Sequence, residues 1–281
     1  MLNMDLILLA IMQGITELFP ISSLGHSVLV PALLHWPISR DAPWFLPYIV
    51  VLHLGTATAL FLYFWKDWFS LLGGTVRARG SLQDPQARLF WLLVFGTVPA
   101  GLLGLLLEHK IRDLFAGFVV AAVFLMVNGV ILLIGDYLKR RAAGNSNPAT
   151  LTPAKAFLIG CAQALALIPG ISRSGVTLVA GILGGLDYAG SARFSFLLAT
   201  PVIGAAGVLE VPKLLHEHQH LPPGLLLTIL LGGVLSGVFA WLSTWFLMRW
   251  FKSHELMAFR PFGIYCLLAG GLALLTLFAA P

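Results

Sequence analysis

The sequence predicts an all-α polytopic membrane protein: six transmembrane helices plus two re-entrant helical hairpins, arranged as two inverted-topology repeats. Three observations lead there. The 281 residues are 58% hydrophobic and only 10% charged, with a mean hydropathy of +0.91, whereas a soluble domain carries about 25% charged residues. The apolar runs are continuous, which excludes the alternating segments of roughly ten residues that make a membrane barrel. And two apolar regions are broken by the same residue types in the same order. No long polar linker divides the chain, so residues 1–281 read as one membrane domain.

A membrane-crossing helix needs about 20 apolar residues. Six stretches qualify: 45–65, 89–107, 114–135, 194–211, 224–248 and 261–280, the fourth closed early by Glu210 and Pro212. Two further regions, 6–36 and 156–185, are cut in the middle. The first is interrupted by Glu17, Pro20, Ser22, Ser23 and His26, the second by Pro169, Gly170 and Arg173. Each arm holds about 11–14 apolar residues, a helical rise of only ~16–21 Å, too short for a hydrocarbon core of ~30 Å. Both regions are therefore expected to enter the membrane and return on the same side, which broken backbone tolerates only inside protein or beside a water-filled cavity.

The interruptions match at a fixed offset. Gln13, Ile21, Ser22 and Gly25 recur 150 residues later as Gln163, Ile171, Ser172 and Gly175, and weaker matches follow in the spans. Repeat one is expected over 1–140 and repeat two over 152–281, each a hairpin followed by three spans. Three is odd, so the second repeat starts on the opposite face and the hairpins can meet near the midplane. Charge fixes the orientation. One side receives Lys66, Arg77, Arg79, Arg88, Lys139, Arg140, Arg141, Lys155, Arg193, Arg249, Lys252 and Arg260; the other receives Arg40, Lys110, Arg112 and Lys213. Twelve against four makes the first side cytoplasmic, with both termini outside and the first hairpin opening outward. Asp5 stands where a basic signal n-region would be, so no cleavable signal is expected. Trp36, Trp44, Trp65, Trp68 and Trp250 fall near span ends, as an interfacial belt requires. The two cysteines, Cys161 and Cys266, form neither a disulfide framework nor a metal motif. Loop-concentrated basic charge suits membrane topology and argues against nucleic acid as a partner.

Arg173 is the residue that most needs an explanation, because charge at membrane depth costs several kcal/mol unless it lines a cavity and has a partner. Pro169-Gly170 ends one half-helix and Ser172 can cap the next, whose free N–H groups attract anions. Arg173 and Thr177 lie four residues apart on one helical face, beside Ser174. Such a fork of donors suits a phosphate. The plainer alternatives are snorkelling to the headgroups or a purely structural pair with Glu17. In the first hairpin Gln13 and Glu17 share a face, Ser22 or Ser23 caps the second arm, and His26 lies one turn further on. Glu17 can hold a divalent cation, act as general base or pair with Arg173; His26 can exchange protons near neutral pH. Ordinary capping for the serines and a buried, hydrogen-bonded histidine are the competing readings. His53 lines the cavity or makes a packing hydrogen bond, and "HEHQH" at 216–220 reads as a solvent-exposed helix end.

"QGITE", "FPISSLGH" and "PGISRSGVT" together resemble the two signatures of the undecaprenyl-diphosphate phosphatase, or bacitracin-resistance, family. The second motif matches at every fixed position, and the resemblance extends over nearly the whole chain. It implies hydrolysis of the lipid carrier's diphosphate to monophosphate and phosphate in the bacterial cytoplasmic membrane, with a divalent cation, Mg²⁺ first and Ca²⁺ second. The expected catalytic residues are Glu17, Ser23, His26 and Arg173. Phosphate is expected on Ser22, Ser172, Arg173, Ser174 and Thr177, and the cation on Glu17 with Gln13. Gln13 leaves the site one carboxylate short of members with Glu there. The nucleophile stays open among Ser23, His26 and water. Partners are the isoprenoid lipid diphosphate and membrane lipids, and a homodimer is compatible with the sequence. The competing function is a polyprenyl-phosphate flippase or another inverted-repeat transporter, because the architecture serves both.

Overall fold

A computed structural model describes residues 4–38, 42, 44–115, 117–139, 146–217, 225–254 and 256–279. Every regular element among them is helical. Helices α1 (Met4–Thr16) and α2 (Ser23–Leu33) form the first interrupted region. Then come α3 (Phe45–Tyr63), α4 (Trp65–Arg77), α5 (Pro85–Phe115) and α6 (Phe118–Lys139). The second interrupted region is α7 (Pro153–Ala164), a 3₁₀ turn at Leu165–Leu167, and α8 (Arg173–Leu183). Helices α9 (Tyr188–Glu217), α10 (Leu225–Ser253) and α11 (Arg260–Ala279) complete the chain.

Among the described residues five helices are long and apolar enough to cross a membrane: Phe45–Tyr63, Pro85–Leu106, Phe118–Lys139, Leu225–Ser253 and Arg260–Leu277. Five of the six expected spans thus have a helix of the required length. The third starts at Phe118 and runs to Lys139, about one turn later than hydropathy alone placed it. The remaining one, 194–211, lies inside α9 and does not meet the same standard over the described residues. Its N-terminal half explains why its composition is mixed: Phe194, Phe196, Leu197, Leu198 and Ala199 are fully buried, while Ser191, Ser195 and Thr200 bond to protein rather than to lipid. Arg40, Arg140, Arg141 and the tract 218–220 lie outside the described residues, as do the side chains of Lys110, Arg112, Lys213, His216 and Glu217.

Helix α4 was not anticipated. Trp65, Phe69, Leu72 and Val76 are exposed along one stripe, while Leu71 and Gly74 are buried on the protein side. Asp67 on α4 pairs with Arg193 at the start of α9, and Arg88 at the start of α5 donates to Leu151 O at 3.0 Å. These ties link α4 to α9 and the start of α5 to the segment before α7.

Lipid is as apolar as leucine, so helix association in a bilayer relies on close packing rather than on water exclusion. Small residues permit it here. Helix α10 packs on α3, α11 on α6 and α7 on α5. A Cβ on Gly55 would collide with Gly233 O, and one on Gly129 would come within 2.7 Å of Gly263 O. The short helices are held inside this frame, α1 against α10 and α8 between α6 and α9.

Candidate active site

Both interruptions end in the same local structure. Ser22 Oγ accepts from Gly25 N at 3.2 Å and Ser172 Oγ accepts from Gly175 N at 3.1 Å. Each serine caps an eleven-residue helix, α2 or α8. Capping satisfies one of the N–H groups that a helix start leaves free.

The two loops are in contact. Ser22 Oγ donates to Ile171 O at 3.2 Å, and Ser174 Oγ donates to Phe19 O at 3.1 Å. Ser172 Oγ in turn donates to Ser174 Oγ at 3.0 Å. Gly170, at φ +102, lies against Ala121 O and Leu125 N of α6, where a Cβ would come within 2.5 and 2.7 Å. Asn128, fully buried in α6, joins both loops: its Nδ2 donates to Pro20 O at 2.9 Å and its Oδ1 accepts from Ser172 N at 3.0 Å. Sequence reasoning missed Asn128. The available signal was a lone amide in the centre of an otherwise apolar span.

This junction brings the guanidinium and the acid together. Arg173 Nη2 donates to Glu17 Oε1 at 2.9 Å, with the two side chains 13% and 7% exposed. Arg173 Nη1 is buried and has no hydrogen-bond partner among the described residues. A buried cationic N–H is costly unless an acceptor meets it, so Nη1 is the donor that a phosphate oxygen would take. On the other carboxylate oxygen, Ser23 Oγ donates to Glu17 Oε2 at 2.5 Å and Gln13 Nε2 donates at 3.1 Å. His53 Nε2 stands 3.2 Å from Gln13 Nε2 and 3.6 Å from Glu17 Oε2. It thus makes the helix-packing hydrogen bond, the second of the two readings its sequence position left open, and stands beside the Glu17 carboxylate as well.

His26 is anchored separately. Its Nδ1 sits 2.7 Å from Ser22 O, and a carbonyl only accepts, so Nδ1 carries the proton. Nε2 is then an acceptor for the Tyr265 hydroxyl at 2.7 Å, the rings stacking with centroids 5.7 Å apart. Tyr265 was also missed, because an aromatic residue in α11 gives no sequence signal that distinguishes it from packing. Thr177 lies four residues along α8 from Arg173, fully buried. Its hydroxyl is engaged by Arg173 O at 2.8 Å and Ser195 Oγ at 2.5 Å.

Among the described residues no group of three or more His, Cys, Asp or Glu is placed to hold a metal ion. Mg²⁺, however, is ordinarily bound through one or two carboxylates together with substrate phosphates. Glu17 Oε2, ringed by an amide and a hydroxyl, fits a cation that arrives with a phosphate, and it does not fit a closed structural centre.

A family model described as "Bacitracin resistance protein BacA" matches residues 6–272. The chain belongs to that family. Among curated relatives, it is 56% identical to "Undecaprenyl-diphosphatase 2" of Chromobacterium violaceum over 272 residues, covering 96% of this chain and 97% of the relative. It is 51% identical to "Undecaprenyl-diphosphatase" of Acidiphilium cryptum over 271 residues, covering 96% of each. Identity to the protein of the same name from Granulibacter bethesdensis is also 51%, over 278 residues covering 94% of this chain and 93% of the relative.

Proposed function

We propose that this protein is a membrane phosphatase that hydrolyses undecaprenyl diphosphate to undecaprenyl phosphate and inorganic phosphate, recycling the lipid carrier for cell-wall synthesis and conferring bacitracin resistance. The observation that carries the reading is the junction of the two interrupted regions. There one buried carboxylate holds Arg173 on one oxygen and the Ser23 hydroxyl on the other, in a chain 56% identical to an undecaprenyl-diphosphatase.

The residues divide the work as follows. The Arg173 guanidinium, with its buried Nη1, grips phosphate oxygens and stabilises charge on the transferring group, where electrostatics dominates phosphoryl transfer. Ser172 and Ser174 hold the start of α8 so that its free N–H groups face the same anion. Ser22 and Thr177 keep the two short helices in register. Ser23 Oγ attacks the terminal phosphorus while its proton passes to Glu17 Oε2; the bond from phosphorus to the bridging oxygen breaks, and undecaprenyl phosphate leaves. Water then attacks the phosphoserine, His26 Nε2 taking the water's proton in place of the Tyr265 hydrogen bond; the bond from phosphorus to Ser23 Oγ breaks, Glu17 returns its proton to that oxygen, and phosphate leaves. What supports Ser23 over His26 as nucleophile is its 2.5 Å bond to a carboxylate, the arrangement of a base next to the group it activates. Glu17 with Gln13 would hold a divalent cation, Mg²⁺ or Ca²⁺, which neutralises the remaining diphosphate oxygens.

The proposal includes the topology: six spans, two re-entrant hairpins in inverted repeats, both termini outside, and a site opening to the outer leaflet of the cytoplasmic membrane. The matched eleven-residue helices α2 and α8, 150 residues apart, support the repeat. A cysteine at Arg79 should resist an impermeant reagent added outside whole cells, and one at Pro37 should react; the opposite pattern reverses the orientation. The activity is tested by phosphate release from a polyprenyl diphosphate with purified protein. Release that disappears in Glu17→Ala and Arg173→Ala supports it. Lipid translocation without phosphate release would favour a flippase.

A further inference from the structure

We propose that His53 supplies a nitrogen ligand to the divalent cation, so that Glu17, Gln13 and His53 form one mixed oxygen–nitrogen face that takes a first-row ion such as Mn²⁺ in preference to Ca²⁺. The proposal rests on the phosphatase reading only in that a diphosphate completes the coordination.

Orientation is the first support. His53 Nδ1 lies 2.8 Å from Ile49 O in its own helix. That carbonyl can only accept, so the proton is on Nδ1 and the Nε2 lone pair points at Glu17 and Gln13. Metal-bound histidines are ordinarily held in this way, the second ring nitrogen donating to a carboxylate, water or backbone carbonyl. Spacing is the second. The Glu17 Oε2, Gln13 amide and His53 Nε2 atoms are 3.1, 3.2 and 3.6 Å apart. Ligands about 2.1 Å from one ion, at tetrahedral to octahedral angles, lie roughly 3.0–3.4 Å from one another; the two Gln13 separations fall in that range, and Glu17 and His53, at 3.6 Å, would draw together by a few tenths of an ångström on the ion. A half-turn of the Gln13 amide puts Oε1 where Nε2 now stands, since the two ends differ little in shape.

Composition is the third. Gln13 provides no charge where the family signature also admits Glu, which weakens a site for hard ions that rely on carboxylates. An imidazole replaces the missing donor with a nitrogen, which first-row transition ions accept and Ca²⁺ does not favour. Arg173 holds the opposite carboxylate oxygen, Oε1, while Oε2, which accepts from Ser23 and Gln13, is the oxygen beside His53. His53 is also the most open of the three, at 24% exposure against 7% for Glu17 and 2% for Gln13. The second repeat has Leu167 and Val202 at the positions matching Glu17 and His53, so the pair is not a packing requirement of the shared frame.

The test is pulsed electron paramagnetic resonance on Mn²⁺ bound to the purified full-length protein with methylenediphosphonate, a diphosphate that cannot be hydrolysed. The expected result is ¹⁴N coupling from a directly bound imidazole. It should disappear in His53→Gln and persist in His26→Gln, and His53→Gln should weaken Mn²⁺ at least about tenfold while leaving Ca²⁺ within about twofold. The melting temperature of His53→Gln, matched to the parent, excludes misfolding; if that variant does not fold, His53→Asn replaces it. Mn²⁺ binding without ¹⁴N coupling, coupling retained in the His53 variant, or no Mn²⁺ binding at all overturns the proposal. If coupling is found but no cation supports phosphate release from polyprenyl diphosphate, the phosphatase reading fails and the metal site stands.

Discussion

The two interruptions share a frame and differ in cargo. Both break a short apolar helix, both restart it with a serine cap, and both start an eleven-residue helix with glycine three residues after that serine. Yet the first turns without glycine, forcing Ser22 to φ 67, whereas the second turns through Gly170 and leaves Ser172 at φ −87. The first carries the carboxylate, the hydroxyl bonded to it and the imidazole; the second carries the guanidinium. Even the matched glutamines diverge: Gln13 bonds Glu17, while the buried amide of Gln163 has no partner among the described residues. A doubled backbone device has thus been loaded with opposite charges. The lesson is that either half alone would bury a charge without its counter-charge, and each is tolerable only because the other faces it.

The sharpest break of this comparison is to remove the charge from one side. Arg173→Ala should lower kcat for phosphate release by about 10²–10³ or more, the range for losing a donor to transition-state charge. Glu17→Gln should do the same, and the double variant should lose little beyond either single one. Additive losses would show that the two residues act independently.

Next in size is the backbone contact. A Cβ at Gly170 meets α6 backbone at 2.5 Å, whereas one at Gly25 meets Gly170 Cα only at 3.2 Å. Gly170→Ala, strained further by its positive φ, should therefore destabilise by more than about 2 kcal/mol, and Gly25→Ala by clearly less. Thermal unfolding in detergent ranks them, and a reversed order would break the assigned contact.

Asn128 tests the shared anchor. Asn128→Leu leaves Ser172 N–H unpaired, at about 1–3 kcal/mol, and leaves Pro20 O only the weak, long Cys266 thiol contact, so it should depress kcat. Asn128→Asp keeps the acceptor for Ser172 N–H and loses the donor to Pro20 O. It should loosen the first loop more than the second, which hydrogen exchange at the two loops can resolve.

The smallest effects belong to the caps. Ser172→Ala should cost about 1 kcal/mol, the usual worth of a helix cap. Ser22→Gly relieves a left-handed backbone as it removes a cap, so its stability should change by only a few tenths of a kcal/mol. Ser172→Gly, with no strain to relieve, should lose more than Ser22→Gly in the same unfolding assay.

Much of this could be read from the residues. Composition and unbroken hydropathy gave the helical membrane class, because nothing else buries so apolar a surface. Pro20, Pro169 and Gly170 marked the breaks, because proline removes a donor and glycine admits a left-handed turn. The serines marked the restarts. What stayed hidden came from helices distant in sequence. Helix α4 was lost because its apolar stripe alternates with polar residues and leaves no continuous run. Asn128, His53 and Tyr265 looked like isolated polar or aromatic residues in spans until packing set them against the two broken regions.

The sequence by itself determined that the chain lives among lipids, where it cannot continue as helix, and that an acid and a guanidinium sit at the two breaks. Those are consequences of local chemistry, hydrophobic transfer and backbone sterics, which need no distant neighbour. Only the tertiary structure decided that the two breaks meet, that Ser23 rather than His26 lies on the Glu17 carboxylate, and that Asn128 fastens both loops. Hydrogen bonds act over about 3 Å, and whether residues 156 positions apart come that close is settled by how helices pack.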